Sequence, residues 1–381
     1  MTEKLYYKDA YIKEFDADIL SVRELSDGGF DVVLSSTAFF PEEGGQSADT
    51  GFIGGARVTH AYEKDGTVHH VTDKHPGEQC VHCTLDFEDR FEKMQCHSAE
   101  HILCGIIHRL FGLENVGLHL GIDEVTFDVN GVLTRDELDR VEDLANEAVF
   151  ANVPVETSFP SPDELPNLVY RSKLELTENV RLVKIGDVDT CACCAPHVSY
   201  TGEIGLIKIL DFEKHRGGLR IIMTAGRRAV HDYRTKYTNI KEISALLSEP
   251  QHTTAEALKR FSLDFEETRS KLKASRLELA REIAKREAGS DKNAVFVFPE
   301  WTLDELREFS NTMIDRVGGI LVALCGKDGD YKYIISSKTE NLSVKIREIN
   351  AALSGRGGGK PGMVQGTLLS TLDEIKGYFC N

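Results

Sequence analysis

Two short stretches far apart in the chain, HSAEH at 97–101 and CACCAPH at 191–197, constrain its fold more than any other feature. His97 and His101 are spaced i, i+4, so on a helix both imidazoles leave the same face, close enough to share one ion. Cys193 and His197 form C-x3-H in a stretch that Pro196 keeps from lying mid-helix. Three imidazole nitrogens and one thiolate make a tetrahedral set that suits zinc better than magnesium or calcium. A fold that uses this set has to bring one helix and one distant loop together. Two other uses of the same residues are open. HSAEH also reads as H-x-x-E-H, the inverted zinc-peptidase motif, with Glu100 as base and an acidic ligand on a later helix. Cys80-x2-Cys83 and Cys191-x2-Cys194 would make a four-cysteine structural site if their loops met.

Composition narrows the setting. The 381 residues exceed one compact core, and two or three domains are expected. The nine cysteines are odd in number and spread through a long chain, which argues against a disulfide framework and for metal ligands or reactive thiols in a reducing compartment. The N-terminal MTEKLYYKDAYIKEFDAD has no apolar run, and stretches such as GGILVALCG are too short to span a bilayer, so a cytoplasmic protein is expected. A net charge of −17 excludes coating nucleic acid through bulk charge, but not gripping RNA through a local basic patch.

The patterning gives an α+β protein in four parts. Residues 1–90 alternate apolar and polar and read as a small β-barrel, with strands at FDVVLSSTAFF, GARVTHAY and GTVHHVTD. Residues 91–235 read as a central α+β domain. One helix covers 88–112, stopping at Gly112, and another covers 134–152, opened by a Thr134/Glu137 capping box. Residues 236–290 are helical and highly charged. Leu258, Phe261, Phe265, Thr268, Leu272, Ser275 and Leu279 follow steps of three and four, which suits a hairpin or short coiled coil broken near Pro250. Residues 291–381 return to α/β, with strands at AVFVFPE, GGILVALCG and YKYIISS. SGRGGGKPGMVQGTL reads as a glycine-rich loop between them.

One more stretch carries chemistry. In TAFFPEEGGQSADTG, Gly44 and Gly45 let backbone approach a ligand closely, and Gln46 offers an amide able to orient water or a carbonyl. This block, then DRFEKMQCHSAEHIL, ENVGLHLGIDEVTFDV and CACCAPHVSYTGEIG, resembles in that order the editing domain of alanyl-tRNA synthetase and its freestanding relatives. The likeness covers about residues 30–235, and the glycine-rich tail resembles the DHHA1 domain that ends many such chains. Three departures stand out. Phe40 takes the place of a tyrosine, HTATH becomes HSAEH, and CGGTH becomes CCAPH.

The resemblance implies a zinc-containing deacylase that acts in trans on mischarged tRNA(Ala), with Ser-tRNA(Ala) as chief substrate and Gly-tRNA(Ala) beside it. It implies zinc on His97, His101, Cys193 and His197, and reaction-site roles for Gln46, Gly44 and Gly45. Thr37, at the family's threonine position, is the candidate for reading the serine hydroxyl. No aminoacylation core is expected before Thr37. Lys214, Arg216, Arg220, Arg227 and Arg228, with Arg356 and Lys360 in the tail, are candidates for tRNA phosphates. A homodimer through the C-terminal region is also expected. The departures keep open a degenerate tRNA-binding module.

Overall fold

The computed structural model describes residues 2–121, 125–172, 179–287 and 292–380. Residues 122–124, inside the third family block, and the expected domain boundary near 290 lie outside the described residues. The protein is mixed α+β, with seven α-helices and several sheets among the described residues. It divides into two compact units, Met1–Ile240 and Lys241–Asn381.

In the first unit, six strands pair in a closed cycle, Glu14–Glu24, Phe30–Leu34, Thr67–Thr72, Ala56–Lys64, Gly51–Ile53 and Cys80–Leu85. The alternating apolar residues noted in the sequence fill its interior, among them Val32, Leu34, Ile53, Val58, Val81 and Cys83. A first helix, α1 (Phe87–Phe111), follows directly. Glu88 and Asp89 sit in its first turn and Arg109 in its last, matching the helix dipole, and Gly112 closes it at φ +66. Every residue of α1 from Lys93 to Ile107 is buried. The helix therefore carries Gln95, His97, Ser98, Glu100 and His101 inside the protein, where polar groups need partners.

Two cations at the start of α1 fasten it to the barrel. Buried Arg90 pairs with buried Asp49 and donates to the carbonyls of Ala38 (2.6 Å) and Ala10 (3.2 Å). Lys93 donates to the Ala48 carbonyl at 2.8 Å. An antiparallel sheet of Ile207–His215, Gly218–Ala225, Val125–Val129 and Asn115–Leu120 shares one apolar core with α1 and with α2 (Arg135–Phe150), which opens on the expected Thr134/Glu137 capping box. A three-stranded sheet, Val155–Ser158, Leu182–Ile185 and Asp189–Ala192, leads into the CACCAPH loop.

Helices α3 (Gly226–Leu247) and α4 (Thr254–Glu287) are interrupted around Pro250, as the sequence indicates. The stripe along α4 is solvent-facing, with Leu258, Phe261, Phe265, Leu272 and Leu279 all at least half exposed. In the second unit a five-stranded sheet runs Ala294–Val297, Ile320–Lys327, Asp330–Ser337, Met363–Leu368, Gly355–Lys360. Its first pair is parallel and the rest antiparallel. Helix α5 (Leu303–Met313) shares a core with one set of its side chains, and α6 (Leu342–Ala352) and α7 (Leu372–Cys380) with another.

The glycine-rich tail is a correction to the sequence reading. It forms the hairpin Gly355–Lys360 and Met363–Leu368, not a loop. Glycine disfavours strands by propensity, but here close packing requires it. A Cβ on Gly357 would lie 2.3 Å from both the Gln365 carbonyl and the Tyr333 hydroxyl.

Candidate metal centre

Helix α1 presents His97 and His101 from one face, and the loop after Asp189–Ala192 brings Cys193 and His197 against them. One donor atom from each of the four lies within 4.8 Å of all the others. The Cys193 Sγ is 3.6 Å from His97 Nε2 and 3.4 Å from His197 Nε2. Zinc bonds of about 2.3 Å to sulfur and 2.05 Å to nitrogen at tetrahedral angles put those atoms about 3.6 Å apart. The residues therefore fit a tetrahedral ion of that size.

Each histidine is oriented by a separate partner on its other nitrogen. His97 Nδ1 meets Gln46 Oε1 at 2.8 Å, His101 Nδ1 meets Asp189 Oδ2 at 3.2 Å, and His197 Nδ1 meets Ser98 Oγ at 3.0 Å. This is the arrangement that fixes the tautomer of a metal-binding imidazole and leaves Nε2 for the ion. Asp189 is itself gripped by Arg171 through two bonds of 2.8 Å. Burial opposes ionisation of Asp189, but its bonds to His101 and Arg171 hold its pKa down to about 2.

Electrostatics distinguish the three thiols. Burial alone would push Cys193 up, yet the imidazoles of His97 and His197 hold it well below the ordinary thiol range. Burial pushes both Cys191 and Cys194 up. Burial also lowers His197 to about 3, keeping it a neutral imidazole. Of the three thiols, Cys193 is the one whose surroundings favour the thiolate. The four-cysteine alternative has no support. Cys80 and Cys83 lie three apart on one strand, the first exposed and the second buried, and neither joins a metal-capable group among the described residues.

The GGQ turn reaches the centre from the barrel side. Glu43 and Gln46 exchange backbone hydrogen bonds, and Leu120 donates to the Gly45 carbonyl at 2.8 Å. Gly45 has φ +87, and a Cβ there would lie 2.1 Å from the Leu118 carbonyl, so only glycine lets the turn lie against that strand. Gln46 is fully buried. Its Oε1 serves His97, and its Nε2 has no hydrogen-bond partner.

A cavity of about 500 Å³ opens beside the cluster, lined by His97, His101 and Cys193 with Gly44, Glu100 and Asn115, among others. Gln46, Gly45 and Thr37 are not in its wall. The Thr37 side chain is fully buried, with its hydroxyl 2.8 Å from His70 Nε2 and accepting from the Phe39 amide at 3.1 Å. Phe40 is fully buried and packs edge-on against Tyr6. Among the described residues, the metal-capable group with His97 and His101 is completed by Cys193 and His197, without the acidic ligand a peptidase site needs.

The basic candidates fall into two groups. Arg220 is paired with Asp128, Arg227 with Glu88 and Arg228 with Glu92. Lys214, Arg216, Arg356 and Lys360 are exposed. A larger groove of about 1120 Å³ runs along the first turns of α3 past Arg227, Arg228 and Arg234, but contains none of the metal-cluster residues. Sequence reasoning missed Ser98, Asn115, Arg171 and Asp189. Only Ser98, between the two histidines, had a positional signal.

Comparison with known proteins sets the chain among synthetase-associated proteins. The family profile described as the threonyl and alanyl tRNA synthetase second additional domain matches residues 180–222. The alanyl-tRNA editing protein AlaX-L of Pyrococcus horikoshii is 29% identical over 98% of this chain and 96% of its own length. The alanine–tRNA ligase of Halobacterium salinarum is 32% identical over 93% of this chain, and that of Pyrococcus furiosus 30% over 96%. This chain spans only 40% and 42% of those two ligases. The chain belongs to the AlaX-L-like alanyl-tRNA editing proteins and is homologous over nearly its full length to the editing region of alanine–tRNA ligases. No helix among the described residues is long and apolar enough to cross a membrane.

Proposed function

We propose that the protein is a trans-acting aminoacyl-tRNA deacylase that hydrolyses Ser-tRNA(Ala), and Gly-tRNA(Ala) beside it, in the cytoplasm. The observation that carries this is the cavity of about 500 Å³ opening on the His97–His101–Cys193–His197 cluster, in a chain homologous to AlaX-L over nearly its full length. Its size falls in the range that encloses a small-molecule group, here the aminoacylated end of the tRNA. The ester is already activated, so the protein has chiefly to position it and stabilise the oxyanion.

Zinc fits the donor set, and when bound it would supply a fixed positive charge and, with one ligand displaced, Lewis-acid polarisation of the ester carbonyl. The chain's own residues do the rest. Gln46, Asp189 and Ser98 hold the three imidazoles in the metal-binding tautomer. Gly44 lets backbone form part of the cavity wall, and Gly45 lets the turn that carries Gln46 seat against its strand. Thr37, whose hydroxyl is already bonded to His70 and to the Phe39 amide behind the cavity, would act on specificity only indirectly, by holding that packing in place. Exposed Lys214, Arg216, Arg356 and Lys360 meet tRNA phosphates, and the paired Arg220, Arg227 and Arg228 do so by exchanging their carboxylates. The exposed apolar stripe of α4 supports self-association through the C-terminal region.

Deacylation of Ser-, Gly- and Ala-tRNA(Ala), with and without chelator, tests the reading. Hydrolysis of the first two but not the third is expected, with a steep fall on adding salt. No hydrolysis of any would leave a tRNA-binding module instead, and equal rates on Ser- and Ala-tRNA(Ala) would remove the editing role.

A further inference from the structure

Glu100 stands where the family motif has a threonine, and it has a clear geometric position. On α1 it shares a face with His97, His101 and Cys104. It is only 3% exposed, yet it lines the cavity beside the two histidines. Its Oε1 accepts the Asn115 side-chain amide and the Cys104 thiol, the latter at 3.2 Å. Its Oε2 has no hydrogen-bond partner among the described residues, and it is not one of the partnerless atoms sealed from solvent. Glu100 lines the cavity, and with Oε1 occupied Oε2 is the oxygen left to meet a ligand there.

Among the described residues, no cation of the wall pairs with it. Arg171 is bound through two bonds to Asp189, and Arg181 gives Nη1 to the carbonyls of Cys193 and Ala195. Glu100 is also absent from the groups of side chains close enough to share a metal ion. The other carboxylates of the wall differ from it. Glu43 is exposed at the surface, and Glu114 pairs with His108. Glu100 is thus a buried acidic side chain fixed on one oxygen and without a cationic partner among the described residues, a position that suits a cationic ligand. The cation next to the scissile carbonyl of an aminoacyl ester is its α-ammonium group.

We propose that Glu100 binds the α-ammonium group of the aminoacyl ester through Oε2, with Asn115 and Cys104 holding Oε1. This rests on the deacylase reading above. It makes the cavity selective for esters that carry an amino group, a property separate from discrimination among side chains.

The test uses the full-length, zinc-loaded protein and two substrates, Ser-tRNA(Ala) and glyceryl-tRNA(Ala), which differ only in an amino or hydroxyl group on the α-carbon. Wild type is expected to favour the seryl ester in kcat/KM by roughly tenfold to a hundredfold, the range for a charge-assisted hydrogen bond. Glu100→Gln should lose about that factor on the seryl ester and change by no more than about twofold on the glyceryl ester, with metal content unchanged. An equal fall on both esters would make Glu100 a general base or a structural residue and overturn the proposal. So would a wild-type ratio near one, a measurement that needs no variant to fold. If wild type hydrolyses neither ester, the deacylase reading itself fails and takes the Glu100 assignment with it.

Discussion

Replacing Gln46 by leucine tests how the centre is held together, because it removes one hydrogen bond and almost nothing else. Gln46 and His97 are both buried, and the bond from Nδ1 to Oε1 is 2.8 Å. A metal-binding Nε2 requires the proton on Nδ1, so the amide must turn its oxygen, not its nitrogen, to the ring. With leucine there, that N–H stays buried without an acceptor, at a cost of about 1–3 kcal/mol. If the cost falls on the metal-bound state, which fixes the ring, zinc affinity drops roughly fivefold to a hundredfold. Gln46→Glu separates the bond from the volume, since a carboxylate in the same place still accepts the proton and adds negative charge near the ion. Its zinc affinity should equal or exceed that of wild type. Competition with a chromophoric chelator at neutral pH measures both. Leucine within about twofold of wild type, or glutamate losing as much as leucine, would refute the role assigned to Gln46.

Three further outcomes follow from other parts of the first unit. Arg90→Met leaves Asp49 buried without its cation and should cost about 3–5 kcal/mol in urea denaturation, and a loss under about 1 kcal/mol would refute that role. Burial holds His70 down to about 4 from 6.5, so the unfolded chain binds a proton that the folded one refuses. Its contribution is fully present above pH 6.5 and lost as pH falls toward about 4, a change of about 3 kcal/mol that His70→Gln should flatten in melts of the chelated protein. Gly45→Ala should weaken zinc binding by displacing Gln46. Gly55→Ala, at φ +82 with nothing within 4 Å, should cost only about 1 kcal/mol of stability, and equal behaviour of the two would refute the close-approach account.

The parts of the centre that were legible in the sequence are those whose spacing carries geometry. His97 and His101 declare a shared helix face, and Cys193 and His197 a turn. The partners behind them were not legible, because Asp189 and Ser98 reach their histidines only through tertiary packing, 88 and 99 positions away in the chain. Gln46 was visible as a residue but not in its role, which depends on a turn that Gly45 presses against Leu118. The extent of α1 followed from local signals, the helical spacing and Gly112. The tail hairpin did not, because glycine content outweighs pattern in any propensity reading, while Tyr333 decides it in space.

The two halves of the centre differ in how firmly they are held, and this sets the route of metal exchange. His97 and His101 sit on a buried helix stretch, whereas Cys193 lies on a loop and is partly exposed, though all three line the cavity. The histidine side can open only with helix α1, so a bound ion is expected to leave by movement of the loop that carries Cys193. On the proposed deacylase function, a chelator would use the same cavity as an aminoacyl end. A non-hydrolysable seryl-adenosine analogue bound in the cavity should therefore slow zinc release without contacting the metal, giving a measure of cavity occupancy that needs no turnover.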